Sequence, residues 1–202
     1  MNLADLVPYV IMEVPGATPT EVQFKLREAF RMFCMDTEAW EQSIDKDTVD
    51  GQLEYSVLPT GDAMVRRVIS VQVKGSDNDD FDLISPIEES RYEVLDSGLG
   101  IRFINGSEVN ADRTDGMRVN ITLQPTSTCD SVSDDLIDRY AEVIYAKAKS
   151  LLMRMPGKMF FNPDLSLMYE REYIKNKPSA YRNRFARKKY NSVMVNQLGG
   201  NI

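Results

Sequence analysis

The amino-acid sequence predicts an α+β protein: a helical bundle with an inserted antiparallel β module and an extended C-terminal arm. Apolar residues recur every three or four positions near the N-terminus and again after residue 133, which is the period of an amphipathic helix. Between these regions, short runs alternate apolar and polar residues, as half-buried strands do. We therefore expect three regions: a helical bundle made of residues 1–39 and 126–178, a β module at 40–125 and an arm at 179–202.

The N-terminal region is expected to hold two helical segments. Residues 1–14 are mildly amphipathic but contain Pro8, which favours a short or broken helix. A capping box follows, in which Thr18 caps the helix, Pro19 takes its first position and Glu21 reaches back to the cap. This helix should run to about Thr37. Its expected buried stripe is Val22, Leu26, Ala29, Phe30, Phe33 and Cys34, with Trp40 just beyond.

The β module is expected to contain four to six strands. Turn-forming residues at 47–52 and 59–62 flank a strand-like run at 53–58. A turn at 96–100 predicts a hairpin between 91–95 and a strand containing Ile101 and Phe103. Two longer runs alternate. In one, Val65, Arg67, Ile69, Val71 and Val73 share a face; in the other, Met117, Val119, Ile121 and Leu123 do so.

A helical hairpin is predicted from residue 131 onward. Ser131 or Ser133 is its expected cap, and Asp134 and Asp135 occupy the first turn, where the helix dipole favours acidic residues. The apolar face of the first helix is Ile137, Tyr140, Ala141, Ile144, Ala148, Leu151, Leu152 and Met155.

The two helices of this hairpin are separated by a stiff joint. Pro156 and Gly157 end the first helix, while Asn162 caps the second and Pro163 takes its first position. The apolar face is expected to continue through Leu165, Met168, Tyr169 and Tyr173. The second helix should weaken at Pro178 because proline disrupts a helix interior.

The arm after Pro178 mixes basic and aromatic residues. These candidate docking residues are Tyr181, Arg182, Arg184, Phe185, Arg187, Lys188, Lys189 and Tyr190. Residues 191–202 lack periodicity and are expected to be extended or disordered until bound. From Arg139 onward there are 13 basic and 4 acidic residues, against 11 and 27 before it. This asymmetry favours docking on an acidic partner surface or near nucleic acid, with ordinary solvated helix faces as the alternative.

The residues do not predict an enzyme, a metal site or a cofactor site. The chain has no histidine, no phosphate-binding glycine loop, and two cysteines, Cys34 and Cys129, that are expected to be free and reduced. The acidic run at 77–82 lacks the ligand spacing of a calcium loop. The adjacent carboxylates at 88–89 and 134–135 imply no pocket. No apolar run reaches the length of about 18 residues needed to cross a membrane. The N-terminus lacks a basic region before its short apolar segment, so a signal peptide is not expected there.

Several segments, taken in order over residues 18–190, resemble the head-to-tail adaptor (connector) proteins of tailed bacteriophages. They are the helix end at 26–34 followed by Trp40, the entry to the β module at 51–59, the helix start at 135–140 and the joint at 151–163. The resemblance rests on their order and spacing together.

The resemblance implies a virion structural protein of the phage neck, made in the host cytoplasm. Such adaptors form a ring, usually of twelve copies, which binds the portal protein through a C-terminal segment and receives tail or nozzle proteins at its other end. The ring lines a channel through which packaged DNA passes during ejection without sequence-specific binding. By this resemblance, residues 181–190 are the portal-docking residues and the joint stiffens each subunit.

Other functions stay open at this stage. One is a nucleic-acid-binding accessory protein that uses residues 181–190. Another is a tail-completion or terminator protein, although those are often β-dominated. The weakest is a glycosidase that uses a pair of carboxylates.

Overall fold

The structure is a computed structural model that describes residues 2–76, 79–81, 84–95, 99–104 and 108–198, with side chains described as far as Ala180. It confirms the mixed α+β class. The chain divides into two compact units. One comprises Met1–Trp40, Gly61–Ala63 and Gln124–Arg184, and the other comprises Glu41–Thr60, Met64–Leu123 and Phe185–Ile202. Among the described residues, no helix combines the length and apolarity required of a transmembrane span.

The first unit begins with the broken helix that Pro8 predicts. A short 3-10 helix, Leu3–Leu6, leads directly into α1, Val7–Ile11. Helix α2 spans Pro19–Thr37, and its capping box is formed as predicted: the Glu21 amide donates to Thr18 Oγ1, and the Thr18 amide donates to the Glu21 carboxylate. The predicted stripe of α2 is buried throughout. Apolar burial therefore fixes the orientation of α2.

Helix α3, Asp134–Met153, is the most deeply buried helix of the described chain. Every residue from Val143 to Ser150 is buried, so the helix is covered all round over these two turns, whereas its N-terminal half keeps an exposed side. The residues of the predicted apolar face are among the buried ones, except that Ala141, Leu151 and Met155 are only partly buried. Ser133 is the N-cap residue, but its side chain makes no capping hydrogen bond. Burial on all sides brings Lys147 and Lys149 into the interior, which the one-face prediction does not anticipate.

Helix α4 spans Pro163–Leu198 and runs antiparallel to α3, because Ser166 pairs with Ser150 and Glu170 with Lys147. The prediction that the helix weakens at Pro178 is wrong, because the helical backbone continues through Pro178 to Leu198. The predicted arm at 179–202 begins on this distal part of α4, and its last four residues lie outside the described part of the chain. Pro178 removes one backbone donor, and the helical turns on both sides of it are kept.

The second unit contains two three-stranded sheets. In the first, with order β1-β6-β3, the strands are β1 (Glu41–Thr48), β3 (Ala63–Val73) and β6 (Arg113–Pro125). Strand β1 pairs antiparallel with β6, with Ile44 opposite Val119 and a register shift between Lys46 and Thr48. In β6, Met117, Val119, Ile121 and Leu123 are all buried, as predicted.

The second sheet has the order β2-β5-β4, and all its pairs are antiparallel. Its strands are β2 (Glu54–Ser56), β4 (Tyr92–Leu95) and β5 (Gly100–Phe103). The predicted hairpin is thus the β4–β5 pair. Tyr55, Tyr92, Ile101 and Phe103 are buried, whereas Arg102 bridges Glu54 and Glu93 across the opposite face. This alternation is typical of an antiparallel sheet that packs one face on a core and exposes the other face to solvent.

Two features of the β module differ from the sequence prediction. Strand β1 was not predicted, since its sequence has Ile44 as its only large aliphatic residue. In β3 the predicted face is broken, because Arg67 is exposed and Val68 is buried. A strict alternation would place the charge of Arg67 in the interior. Instead, two exposed residues, Arg66 and Arg67, follow each other, and Val68 is buried in place of Arg67.

Candidate assembly surface

The joint between α3 and α4 occupies residues 154–162. Gly157 has φ of 79°, a left-handed conformation in which a side chain would be strained. The Asn162 amide donates to the Met153 carbonyl at 3.0 Å, and the Asn162 side chain accepts from the Leu165 amide at 3.1 Å. The joint residues Pro156, Gly157, Asn162 and Pro163 therefore lie where one helix has ended and the next begins.

The inward side of α4 is polar. Its contacts are made by Ser166, Glu170, Tyr173 and Lys177, spaced at four, three and four residues; we call these four residues the polar face of α4. Ser166 Oγ donates to the Ser150 carbonyl at 2.9 Å. Ala180 continues the same side of the helix and is buried. Between Pro163 and Ala180, the helix is thus attached largely through hydrogen bonds, and the Tyr173 ring is the one fully buried large side chain of this described segment.

Glu170 is the centre of this polar face. Its carboxylate accepts from Lys147 Nζ at 2.8 and 3.0 Å and from Ser150 Oγ at 2.9 Å. Burial alone would raise the pKa of Glu170, but these two hydrogen bonds outweigh it and the pKa lies below its ordinary value. Lys147 is only 7% exposed, so the pair satisfies a lysine that α3 carries into the interior.

A second polar cluster attaches α4 to α2. Tyr173 Oη donates to Asp36 Oδ2 at 2.8 Å, and Lys177 Nζ donates to the same oxygen at 2.9 Å. Burial opposes ionisation of Asp36, yet the hydrogen bonds from Lys177 and Tyr173 outweigh it and keep its pKa below the ordinary value. Burial and the neighbouring Asp36 carboxylate raise the pKa of Tyr173, which stays protonated and donates.

A third cluster joins α3 and α4 to the segment after α1. Lys149 Nζ donates to Glu13 at 2.8 Å, and Tyr169 Oη donates to the other oxygen of Glu13 at 3.0 Å. The hydrogen bond from Lys149 is the main reason that the pKa of Glu13 is lowered. The ammonium of Lys149 also lies 4.9 Å from the centre of the Tyr169 ring. Both buried lysines of α3 are therefore paired with carboxylates.

The outward side of α4 carries apolar residues, contrary to the predicted face. Leu165 and Met168 are 39% and 49% exposed, on one flank of the outward surface. Leu167 and Ile174, 49% and 52% exposed, lie on the other flank. The prediction is right for Tyr173 and partly right for Tyr169, but wrong for Leu165 and Met168. We call Leu165, Leu167, Met168 and Ile174 the exposed apolar residues of α4.

The joint extends this apolar surface. Met159 is 96% exposed and Phe161 is 45% exposed, immediately before α4. Phe160 between them is buried in the core of the first unit, which fixes the position of this part of the joint. Five exposed apolar residues thus lie between positions 159 and 168, namely Met159, Phe161, Leu165, Leu167 and Met168. Exposed apolar patches are typical of interaction sites.

The predicted docking residues lie on the distal half of α4. The backbone is helical at Tyr181, Arg182, Arg184, Phe185, Arg187, Lys188, Lys189 and Tyr190, whose side chains fall outside the described part of the chain. Residues 199–202 are outside it altogether, as are parts of the acidic run at 77–82. The paired carboxylates at 88–89 and 134–135 belong to different units.

Sequence reasoning missed the polar face of α4. Its signal was present as the spacing of Ser166, Glu170, Tyr173 and Lys177, which follows a helical period as closely as the apolar residues do. The apolar period alone assigned the wrong side of the helix to the interior. The outward side of α4 and its joint is therefore one candidate docking surface among the described residues.

The chain was compared with protein-family models and with curated proteins. No family model matches it, and no curated protein matches it either.

Proposed function

We propose that the chain is a structural head-to-tail adaptor of a tailed-phage neck, which assembles as a ring, links the portal to the tail or nozzle and lines the DNA channel. The observation that carries this proposal is the exposed apolar surface of α4 and the joint. Leu165, Leu167, Met168 and Ile174 lie on a helix whose inward contacts are polar, an arrangement suited to a subunit that buries these residues against a partner.

The resemblance to head-to-tail adaptor proteins indicates which partners would cover this surface: other copies of the chain and the portal. A head-to-tail contact between copies closes into a ring when the rotation between subunits allows it. The basic segment at the end of α4 then supplies a second contact, to the portal. The acidic composition of residues 1–138 fits a channel wall that repels phosphate and lets DNA slide.

The test is native mass spectrometry of the purified chain with and without cognate portal rings. We expect discrete multi-copy addition to the portal. Deletion of 181–202 should leave a folded protein that no longer joins the portal; the deletion starts at 181 because Ala180 is buried in the core. Circular dichroism of the truncated chain is the control for folding.

Two results would contradict the proposal. One is that the truncated chain still assembles on portals, which would remove the docking role of the distal segment. The other is that the full chain ignores portals but binds DNA with a steep salt dependence, which would favour a nucleic-acid-binding accessory protein.

A further inference from the structure

We infer that the 163–180 segment of α4 is a detachable helix: it leaves the first unit as a body, turning at the joint, while α2 and α3 stay folded. This inference concerns the isolated chain and goes beyond the proposed function. It holds for any partner that the helix serves.

The first support is the chemistry of the contacts that hold the segment. Ser166, Glu170 and Lys177 are attached through a hydroxyl, a carboxylate and an ammonium, and Tyr173 adds a phenol that donates to Asp36. Water replaces each of these hydrogen bonds when the helix leaves, so the net loss per bond is small. Apolar burial has no such replacement.

The second support is the placement of the apolar residues. The four exposed apolar residues are already in contact with solvent, so the apolar area that the described side chains of α4 would newly expose comes chiefly from the Tyr173 ring, Ala180 and part of Tyr169. Helix α2 is the opposite case, since Val22, Leu26, Ala29, Phe30 and Phe33 are fully buried and would all be lost to water. Segments with few buried apolar contacts open at lower free energy than the rest of a domain.

The third support is the buried ammonium of Lys147. Lys147 is held beneath α4 and is paired by Glu170. When α4 leaves, Lys147 becomes hydrated, so its burial does not resist the motion. Removing the charge of Glu170 penalises only the attached state, in which Lys147 would be buried without a carboxylate. Substitution of Glu170 should therefore shift the equilibrium between attached and detached α4 without affecting the rest of the unit.

A buried thiol beneath α4 measures the motion directly. Ser150 is fully buried and its Oγ lies 3.4 Å from Ser166 Oγ, so the thiol introduced by Ser150→Cys is reached by an alkylating reagent only when α4 has moved. Cys129, which is buried outside the contacts of α4 and donates to the Ser131 carbonyl, reports on opening of the rest of the unit. Peptide mass mapping separates the two alkylation rates.

We expect the introduced thiol to be labelled faster than Cys129 in the full-length chain. Adding Glu170→Gln should accelerate its labelling roughly tenfold to a hundredfold and leave Cys129 unchanged. Glu172→Gln is the matched control, since it removes the same charge from an exposed position on the same helix and should change neither rate. Equal rates at both thiols, or equal effects of the two glutamate variants, would overturn the inference.

A measurement without the introduced thiol guards against perturbation by Ser150→Cys. In hydrogen exchange of the unmodified chain, amides of 163–180 should exchange faster than those of α3, because a helix that leaves its bundle frays. A disulfide formed in the Ser150→Cys/Ser166→Cys variant should abolish this difference. If the crosslinked and uncrosslinked chains exchange alike, α4 frays in place and does not detach.

Discussion

Helix α2 and the 163–180 segment of α4 belong to the same unit and are oriented by opposite kinds of contact. In α2 the apolar stripe faces the core, with Phe30 against Trp40 and Phe33 against Tyr140 at ring-centre distances of 5.6 and 5.3 Å. In α4 the inward contacts are made by the polar face, and the apolar residues point outward. An apolar pattern of helical period thus indicates a buried face without saying what buries it. The apolar face of α2 is buried by the core. Under our proposal, the exposed apolar residues of α4 are buried by a partner.

The largest expected effect comes from truncating an aromatic residue of α2. Phe33→Ala should lower the free energy of unfolding by about 3–5 kcal/mol, because it leaves a cavity beside Tyr140. Chemical denaturation followed by circular dichroism measures the loss. The matched variant in α4 is Met168→Ala, which should change stability by less than about 0.5 kcal/mol since Met168 is exposed. Equal losses would show that the two helices are held alike.

Acidification should weaken the attachment of α4 while the apolar contacts of α2 persist. The pKa values of Asp36 and Glu170 lie below their ordinary values of 3.8 and 4.5, since both carboxylates are held ionised by lysines. A lowered pKa contributes stability that is present above the ordinary value and is lost as the pH falls through the lowered value. Hydrogen exchange across a pH series should therefore show α4 losing protection, relative to α3, below about pH 4.

The Asp36→Asn variant is the control for this pH dependence. It removes one titrating carboxylate, so the relative protection of α4 should depend less on pH and should be lower at neutral pH. If α4 and α3 lose protection in parallel in both proteins, the carboxylates do not control the attachment of α4 specifically.

A smaller effect is expected at the helix caps. Thr18→Ala removes the cap of α2 and should cost about 1 kcal/mol of unfolding free energy. Asn162→Ala removes the cap of α4, so a loss of similar size is expected in that helix. Because α4 opens locally, the loss at Asn162 should appear in exchange of 163–180 and only weakly in global unfolding. Identical global losses for both variants would contradict this separation.

The smallest effect on stability should coincide with a large effect on assembly. Met168→Gln and Leu165→Gln replace exposed apolar side chains, so each should change the unfolding free energy by less than about 0.5 kcal/mol. If these residues form the ring contact, both variants should reduce the number of copies that native mass spectrometry finds on the portal. Val94→Gln, at an exposed strand position, is the control and should leave copy number unchanged. Unaltered assembly in all three would place the ring contact elsewhere.

Much of the local structure was predictable because it depends on neighbouring residues. The capping box at Thr18 and Glu21 sets the start of α2, and the strict alternation from Met117 to Leu123 predicts the buried face of β6. Strand β1 was not predictable in this way. It is held through backbone pairing with β6 and through the ion pair of Asp45 with Arg118 at 2.7 Å, so its stability comes from residues more than sixty positions away.

The sequence by itself determined the α+β class, the two ends of α2, the helix boundaries around the joint and the alternation of β6. These features follow from dihedral preferences, capping and periodicity within a few residues. Only the tertiary structure decided which side of α4 faces inward and that α3 is covered all round from Val143 to Ser150. The reason is that Lys147 and Lys149 enter the interior only when Glu170 and Glu13 are positioned to pair with them. Burial of a charge depends on a partner distant in the chain, and no local pattern carries that information.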